Sequence, residues 1–371
     1  MPHRVLTAES VTEGHPDKVA DYVADSVLDA YLEQDPMSRV ACEVLCKGAD
    51  VVVAGEITSD AKLNLDAIVR DVVREVGYTQ PEDAFNADTL RIRSLLTPQA
   101  REIAKAVHME SDPEDALGAG DQGIMVGYAT SETPELLPLP LVLAHGLSRA
   151  LAHARKSGAV DWLRPDGKTQ VSVDYENGTP VRVTRIIVSS QHAPKLDQGV
   201  IDEFVRHHLV PQVLGKWHAD DIKVTVNPSG SFEQGGPSVD AGLTGRKIIM
   251  DTYGPFAHHG GGSFSGKDAT KVDRSGAYFA RFVARQVVRA GLAERAEVQV
   301  AYAIRLADPV AVSVDTFGTG DPKGAANLVG QFDFRPAAII EQLGLRRPIY
   351  RLTTNYGHFG KPGLPWETDA Y

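Results

Sequence analysis

The sequence predicts an α+β fold of three similar units, each a sheet covered on one face by helices. The same order, strand, helix, two strands, helix, strand, recurs three times along the chain. Within each unit the apolar pattern switches between the helical and the strand period: Val19, Val23, Val27 and Tyr31 follow one helix face, while Val171, Val173 and Tyr175 alternate. The chain has 371 residues and 43% apolar content, too long for one typical domain and apolar enough for a large core.

The first unit reads as a strand near 3–8, a helix over 17–34, strands over 40–47 and 50–57, a helix over 62–76 and a strand over 90–95. The second reads as strand 124–129, helix 140–157, strands 169–176 and 180–190 joined by the tight turn Asn177-Gly178, helix 197–214 and strand 222–227. The third reads as strand 247–252, helix 273–290, strands 297–304 and 310–317, helix 335–343 and strand 349–354. Residues side by side across the units share little identity, so the repeat is one of structure.

Composition excludes several classes. A net charge of −11 argues against a nucleic-acid-binding surface, which needs a basic excess. No apolar run approaches a membrane span, and Met1-Pro2-His3-Arg4 leads directly into a strand-like Val5-Leu6, so neither a membrane segment nor a signal peptide is expected. Cys42 and Cys46 share one extended run and stand roughly 13 Å apart, too far for a disulfide. A cytoplasmic enzyme is the expectation.

The densest chemistry lies in His258-His259-Gly260-Gly261-Gly262-Ser263-Phe264-Ser265-Gly266-Lys267-Asp268 and on to Lys271 and Asp273. Its glycines free backbone N–H groups for a phosphate. Lys267 and Lys271 add point charges, and Asp268 and Asp273 are the hard oxygen ligands Mg²⁺ takes beside phosphates. Taken alone, the pattern also fits a glycine loop ahead of a helix. Gly261 to Lys267 has the spacing of a P-loop, but Asp268 stands where that motif needs Ser or Thr.

Other stretches share this chemistry. In Glu9-Ser10-Val11-Thr12-Glu13-Gly14-His15-Pro16-Asp17-Lys18, Pro16 suits a first helical position and sets His15 and Asp17 at a helix N-terminus. Such an end favours anions, and Asp17 would repel phosphate unless Mg²⁺ bridges them; a surface cap is the plainer alternative. Glu43 and Glu56 interrupt apolar strands. With a hairpin around Gly48-Ala49, Glu43 is expected opposite Gly55, which turns the two carboxylates to opposite faces; wet sheet edges would also explain them. Gly118-Ala119-Gly120-Asp121-Gln122-Gly123 is a second glycine-rich turn, and Arg164 to Gln170 is a charged turn before a strand. Asp240-Ala241-Gly242-Leu243-Thr244-Gly245-Arg246-Lys247 sets two adjacent cations after a glycine turn, enlarging the anion site.

Together, residues 9–18, 118–123, 240–247 and 259–268 resemble the signatures of the methionine adenosyltransferases, also called S-adenosylmethionine synthetases. The resemblance continues through Lys271-Val272-Asp273-Arg274-Ser275, Tyr356-Gly357-His358-Phe359-Gly360 and Pro365-Trp366-Glu367, covering essentially the whole chain in order. It implies three related α+β domains with pseudo-threefold symmetry, divided here at 1–102, 114–231 and 232–371. It implies dimers or dimers of dimers with active sites shared between subunits.

The reaction implied is ATP, L-methionine and water giving S-adenosylmethionine, phosphate and diphosphate, with two Mg²⁺ and one K⁺ per site. Carried over by motif, His15, Lys168, Arg246, Lys267 and Lys271 take catalytic roles. His15, Asp166, Gly167, Lys168, Ser231, Phe232, Asp240, Arg246, Lys247, Ser263 and Lys267 match ATP-binding positions. Glu56, Gln99, Asp121, Asp240 and Lys271 match methionine positions, Asp17 and Asp273 Mg²⁺ ligands, and Glu43 the K⁺ ligand. A neutral thioether needs no base, so the absence of a Ser–His–Asp or Cys–His pattern fits; what the reaction needs is a stabilised leaving group and in-line positioning.

Two departures stand out. The family commonly has Arg where this chain has Ser231, and the loop after Gln99, residues 99–107, lacks its usual glycine, with Ala106 in that place. A phosphotransferase and a scaffold that binds adenylate without chemistry are the alternatives. Intact His15, Lys168 and Asp273 argue against the scaffold.

Overall fold

The computed structural model describes residues 3–98 and 117–368. In chain order its elements are β1 (Arg4–Val11), α1 (Pro16–Gln34), β2 (Arg39–Lys47), β3 (Asp50–Thr58), α2 (Leu65–Val76), β4 (Arg91–Thr97), β5 (Gly123–Thr130), α3 (Leu139–Lys156), β6 (Leu163–Glu176) and β7 (Thr179–His192). There follow α4 (Gln198–Phe204), running through a π-turn into α5 (Val210–Leu214), then β8 (Lys223–Val226), β9 (Gly242–Leu243), α6 (Ile248–Asp251), α7 (Val272–Arg289), β10 (Arg295–Tyr302), β11 (Ala311–Asp315), α8 (Pro322–Val329), α9 (Pro336–Leu343) and α10 (Arg351–Thr354).

These strands form three sheets, ordered β1-β6-β7-β8, β9-β2-β3-β4 and β5-β10-β11. Each sheet is led by a strand from another unit. β1 joins the second unit antiparallel to β6, β5 joins the third antiparallel to β10, and the two-residue β9 joins the first against Leu45 and Cys46. The exchange is cyclic, so the fold repeats three times while its units are tied into one body. α1 packs on β2, α3 on β6 and β1, and α7 on β5 and β10. The helical period of α1 is borne out: Val19, Val23 and Val27 are wholly buried, each worth roughly 1.5–3 kcal/mol relative to exposure.

Two predicted strands are helical turns. Over 247–252, Ile248–Asp251 forms one turn because Lys247 and Asp251, four apart, both reach α1: Lys247 to Asp17 at 2.6 Å and Asp251 to Lys18 at 2.7 Å. A helical turn aligns such residues on one side, whereas extended chain would separate them along the strand. Over 349–354, Arg351–Thr354 turns because Asp29 accepts the N–H groups of Tyr350 and Arg351, both at 2.9 Å, leaving them unavailable to a ladder. α8 has no counterpart in the sequence reading; Asp321 caps it through the N–H of Lys323.

Candidate active site

The site grows from α1. His15 is its N-cap and Pro16 opens it, as the sequence predicts. Four aspartates, Asp17, Asp21, Asp25 and Asp29, recur every fourth residue on one buried face. Buried carboxylates need partners, and each of these takes backbone N–H groups from a distant segment. Asp17 accepts from Leu243 at 3.1 Å, Asp21 from Gly245 at 2.8 Å, Asp25 from Gly266 at 2.9 Å, and Asp29 from Tyr350 and Arg351. This stripe fixes the 242–247 arm and the glycine loop to one helix. The sequence signal for this stripe is its four-residue spacing alone.

β1 ends with Val11 opposite Lys168 of β6, and Thr12 then binds back to that strand through its N–H to the Gly167 carbonyl at 2.9 Å. The Thr12 hydroxyl donates to the Pro165 carbonyl at 2.6 Å. Glu13 is spent on structure, paired with Arg155 and Lys156 at the end of α3. His15 follows, buried, its Nδ1 accepting the Asp17 N–H at 3.2 Å. That bond requires a neutral ring with its proton on Nε2. Burial, then the charge of Lys247 with those of Lys168 and Lys18, pushes the His15 pKa down to about 3.

Asp17 faces Lys247 at 2.6 Å and Arg246 at 3.4 Å. Burial would raise its pKa, but the Lys247 contact and the Leu243 N–H hold it below the usual carboxylate value. Ser263 lies against Gly245, where the arm meets the glycine loop. Lys168 is exposed on β6. Arg164 to Gln170, expected as a turn before a strand, is itself part of β6, because residues 167–170 pair with β7 and residues 168–170 with β1.

The glycine loop is anchored at Gly266, whose φ of +80° suits glycine. Its N–H goes to Asp25 and its carbonyl takes the Cys42 N–H at 2.9 Å. Lys267 then pairs with Asp273, in the first turn of α7, at 2.6 Å. Asp268 is not available to a metal. Its buried carboxylate accepts the N–H of Val40 at 2.7 Å and of Thr270 at 2.9 Å and pairs with Lys271, so Asp268 and Lys271 fasten the loop to β2.

The predicted β2–β3 register is off by one residue. Glu43 stands opposite Ala54, and Ala41 opposite Glu56. Opposed residues share a face and the side-chain period is two, so Glu43 and Glu56 lie on the same face, away from α1, rather than on opposite ones. Ala41 forms a backbone bridge to Lys267, which sets the end of the glycine loop alongside β2. Burial raises the Glu43 pKa, Lys267 opposes this, and the neighbouring Glu56 adds to it.

On the β6–β7 side, Asp166 is buried, its Oδ2 accepting the Gly236 N–H at 2.8 Å while Oδ1 lacks a hydrogen-bond partner. Burial pushes its pKa up to about 6. Asp240 is exposed, close enough that its charge adds to that rise. Ser231 is exposed and donates to Glu233 at 3.2 Å, while the Phe232 N–H reaches His192. Asp121 is exposed and accepts only the N–H of Gln122 among the hydrogen bonds of the described residues, just before β5, whose first residue, Gly123, approaches Asp273. Gln99 and the 99–107 loop lie outside the described residues.

Among the described residues no three His, Cys, Asp or Glu side chains gather as a metal cage. Asp17 and Asp273 each offer one carboxylate beside cations. Such a donor set suits a Mg²⁺ that takes its other ligands from phosphate oxygens and water. Glu43 and Glu56, on one face, leave negative charge for a monovalent cation.

The arms thus bring a glycine loop and the cations Arg246 and Lys247 onto the N-terminal half of α1. The chain belongs to the S-adenosylmethionine synthetase family: it matches the family's N-terminal domain over residues 3–101, its central domain over 116–232 and its C-terminal domain over 234–368. It is 50% identical to an S-adenosylmethionine synthase of Desulforudis audaxviator, covering 99% of this chain and 96% of that one. It is 51% identical to that of Thermus thermophilus, covering 98% and 95%, and 51% identical to that of Sorangium cellulosum, covering 98% and 87%. Among the described residues no helix is long and apolar enough to cross a membrane.

Proposed function

We propose that this site makes S-adenosylmethionine from ATP and L-methionine by direct substitution at the ribose C5′. A sulfur lone pair forms the S–C5′ bond as C5′–O5′ breaks, and the bonding pair leaves on O5′ of triphosphate. Water then splits the bound triphosphate into diphosphate and phosphate. The observation that carries this reading is the neutral His15, offering its Nε2–H among Lys168, Arg246 and Lys247. Donors aimed at developing negative charge are what an alkoxide-like leaving oxygen requires.

In this reading His15 donates to O5′, and Lys168, Arg246, Lys247 and Lys267 hold the phosphates, with Ser263 beside them. Asp166, Gly167, Ser231, Phe232 and Asp240 border the nucleotide. Glu56, Gln99, Asp121, Asp240 and Lys271 border methionine, with Lys271 acting from its Asp268 anchor. Asp17 and Asp273 would hold Mg²⁺ and Glu43 would hold K⁺; bound there, these cations supply charge neutralisation for the triphosphate. The three sequence domains, 1–102, 114–231 and 232–371, act together in a cytoplasmic dimer or dimer of dimers with shared sites.

A phosphotransferase is disfavoured by Asp268, which stands at the P-loop's Ser/Thr position and is consumed by Val40 and Lys271. Chromatography of products formed from ATP and methionine with Mg²⁺ and K⁺ tests the reading. S-adenosylmethionine is expected; ADP would point to the phosphotransferase, and no turnover to the scaffold.

A further inference from the structure

Two neighbouring side chains at the end of β7 join both walls of the nucleotide side. Gln191 and His192 are 2% and 1% exposed. Gln191 Oε1 accepts the Asp166 N–H at 3.2 Å, and its Nε2 donates to the Glu233 carbonyl at 3.2 Å. His192 Nε2 accepts the Phe232 N–H at 3.0 Å, and its own backbone N–H donates to the Phe232 carbonyl at 3.0 Å. The second ring nitrogen, Nδ1, lies 2.9 Å from the Ala193 carbonyl, so it carries the proton and the ring is fixed at both ends.

The two walls also touch directly. The Gly236 N–H donates to Asp166 Oδ2, and a Cβ on Gly235 would stand 2.8 Å from Gln191 Cδ and 3.1 Å from Asp166 Cβ. At Gly235 and Gly236 the 231–236 segment is therefore packed closely against Gln191 of β7 and Asp166 of β6. None of these bonds involves the methionine-side residues Glu56 or Asp121.

We propose that Gln191 and His192 are positioning residues for ATP, holding the Asp166–Lys168 stretch of β6 and the Ser231–Phe232 segment at the separation the nucleotide needs. This rests on the function proposed above. It assigns the pair an effect on nucleotide affinity without an equal effect on methionine.

The test uses full-length enzyme and adenylyl imidodiphosphate, titrated by calorimetry, together with KM for ATP and for methionine. His192→Ala takes the acceptor away from the half-buried Phe232 N–H, and the nucleotide Kd and ATP KM are expected to rise about tenfold. Methionine KM and kcat should stay within about threefold. His192→Gln, whose amide oxygen can accept from Phe232, should recover most of the affinity. Gln191→Met removes both side-chain bonds at nearly unchanged volume, and gives a second reading should His192→Ala fold poorly.

Unchanged nucleotide Kd in either folded variant would overturn the proposal, as would His192→Gln binding no better than His192→Ala. Wild-type protein that fails to bind adenylyl imidodiphosphate would overturn the functional reading itself, and the positioning role with it.

Discussion

Asp25 of α1 and Arg274 of α7 form a wholly buried two-pronged ion pair, at 2.7 and 2.9 Å, and the same carboxylate takes the Gly266 N–H. The Thr354 hydroxyl completes the set at 2.8 Å. One side chain of the first unit thus fixes the turn of the glycine loop and the helix behind it. Removing one partner of such a pair strands the other charge in the interior. Asp25→Asn is expected to lower the unfolding free energy by about 3–5 kcal/mol, read by urea titration. A loss below about 1 kcal/mol, as for exposed pairs, would mean the Asp25–Arg274 contact is not holding the loop.

The longer helices and strands and the start of α1 are legible because they depend on local signals: apolar period, Pro16, Asn177-Gly178. What sequence could not supply was non-local. The exchange of β1, β5 and β9 between sheets follows from pairings far apart in the chain. Ile248–Asp251 and Arg351–Thr354 are too short for period to separate helix from strand, and their form is decided by Asp17, Lys18 and Asp29 across the interface. Glu43 and Glu56 were found as residues, but a one-residue slip in register reversed their relation. The motif residues His15, Asp17, Arg246 and Lys247 do meet, whereas Lys271 is tied to Asp268. Gln191 and His192, in an ordinary strand end, gave no signal at all.

Lys168 is the cation whose role is most readily isolated, since it is exposed and its charge reaches His15. Lys168→Met is expected to lower kcat by about 10²–10³, the scale for losing a donor to a developing oxyanion, with a much smaller change in methionine KM. Small and equal losses in both parameters would remove Lys168 from the leaving-group machinery.

If Glu43 holds K⁺, as proposed, its substitution separates monovalent from divalent cation dependence. In Glu43→Gln, activation by K⁺ should largely vanish while the Mg²⁺ requirement persists. Activity measured across a KCl series, with Na⁺ holding ionic strength constant, checks this. A wild-type K⁺ response in the variant would leave Glu43 as a sheet-face carboxylate only.

His15 has a pH signature. Its folded pKa lies near 3, below the usual 6.5, because burial and Lys247 oppose the charged ring. The unfolded chain therefore takes up a proton below pH 6.5 that the folded one refuses. This share of stability is fully present above about pH 6.5 and is lost as pH falls toward 3. In the free enzyme, imidazole ¹⁵N shifts of His15 should stay those of the Nε2–H tautomer from pH 8 to 5. Protonation with a midpoint near 6.5 would contradict the site's electrostatics.

The central claim is that the bond broken in ATP is C5′–O5′. ATP carrying ¹⁸O in the C5′ bridging position distinguishes this from attack at phosphorus when products are analysed by mass spectrometry. The expected result is label wholly in the inorganic phosphates released and none in S-adenosylmethionine, whose C5′ is bonded to sulfur. Label retained in an adenosine-containing product would mean cleavage at phosphorus, and would contradict the assignment of His15 and the surrounding cations to the departing O5′.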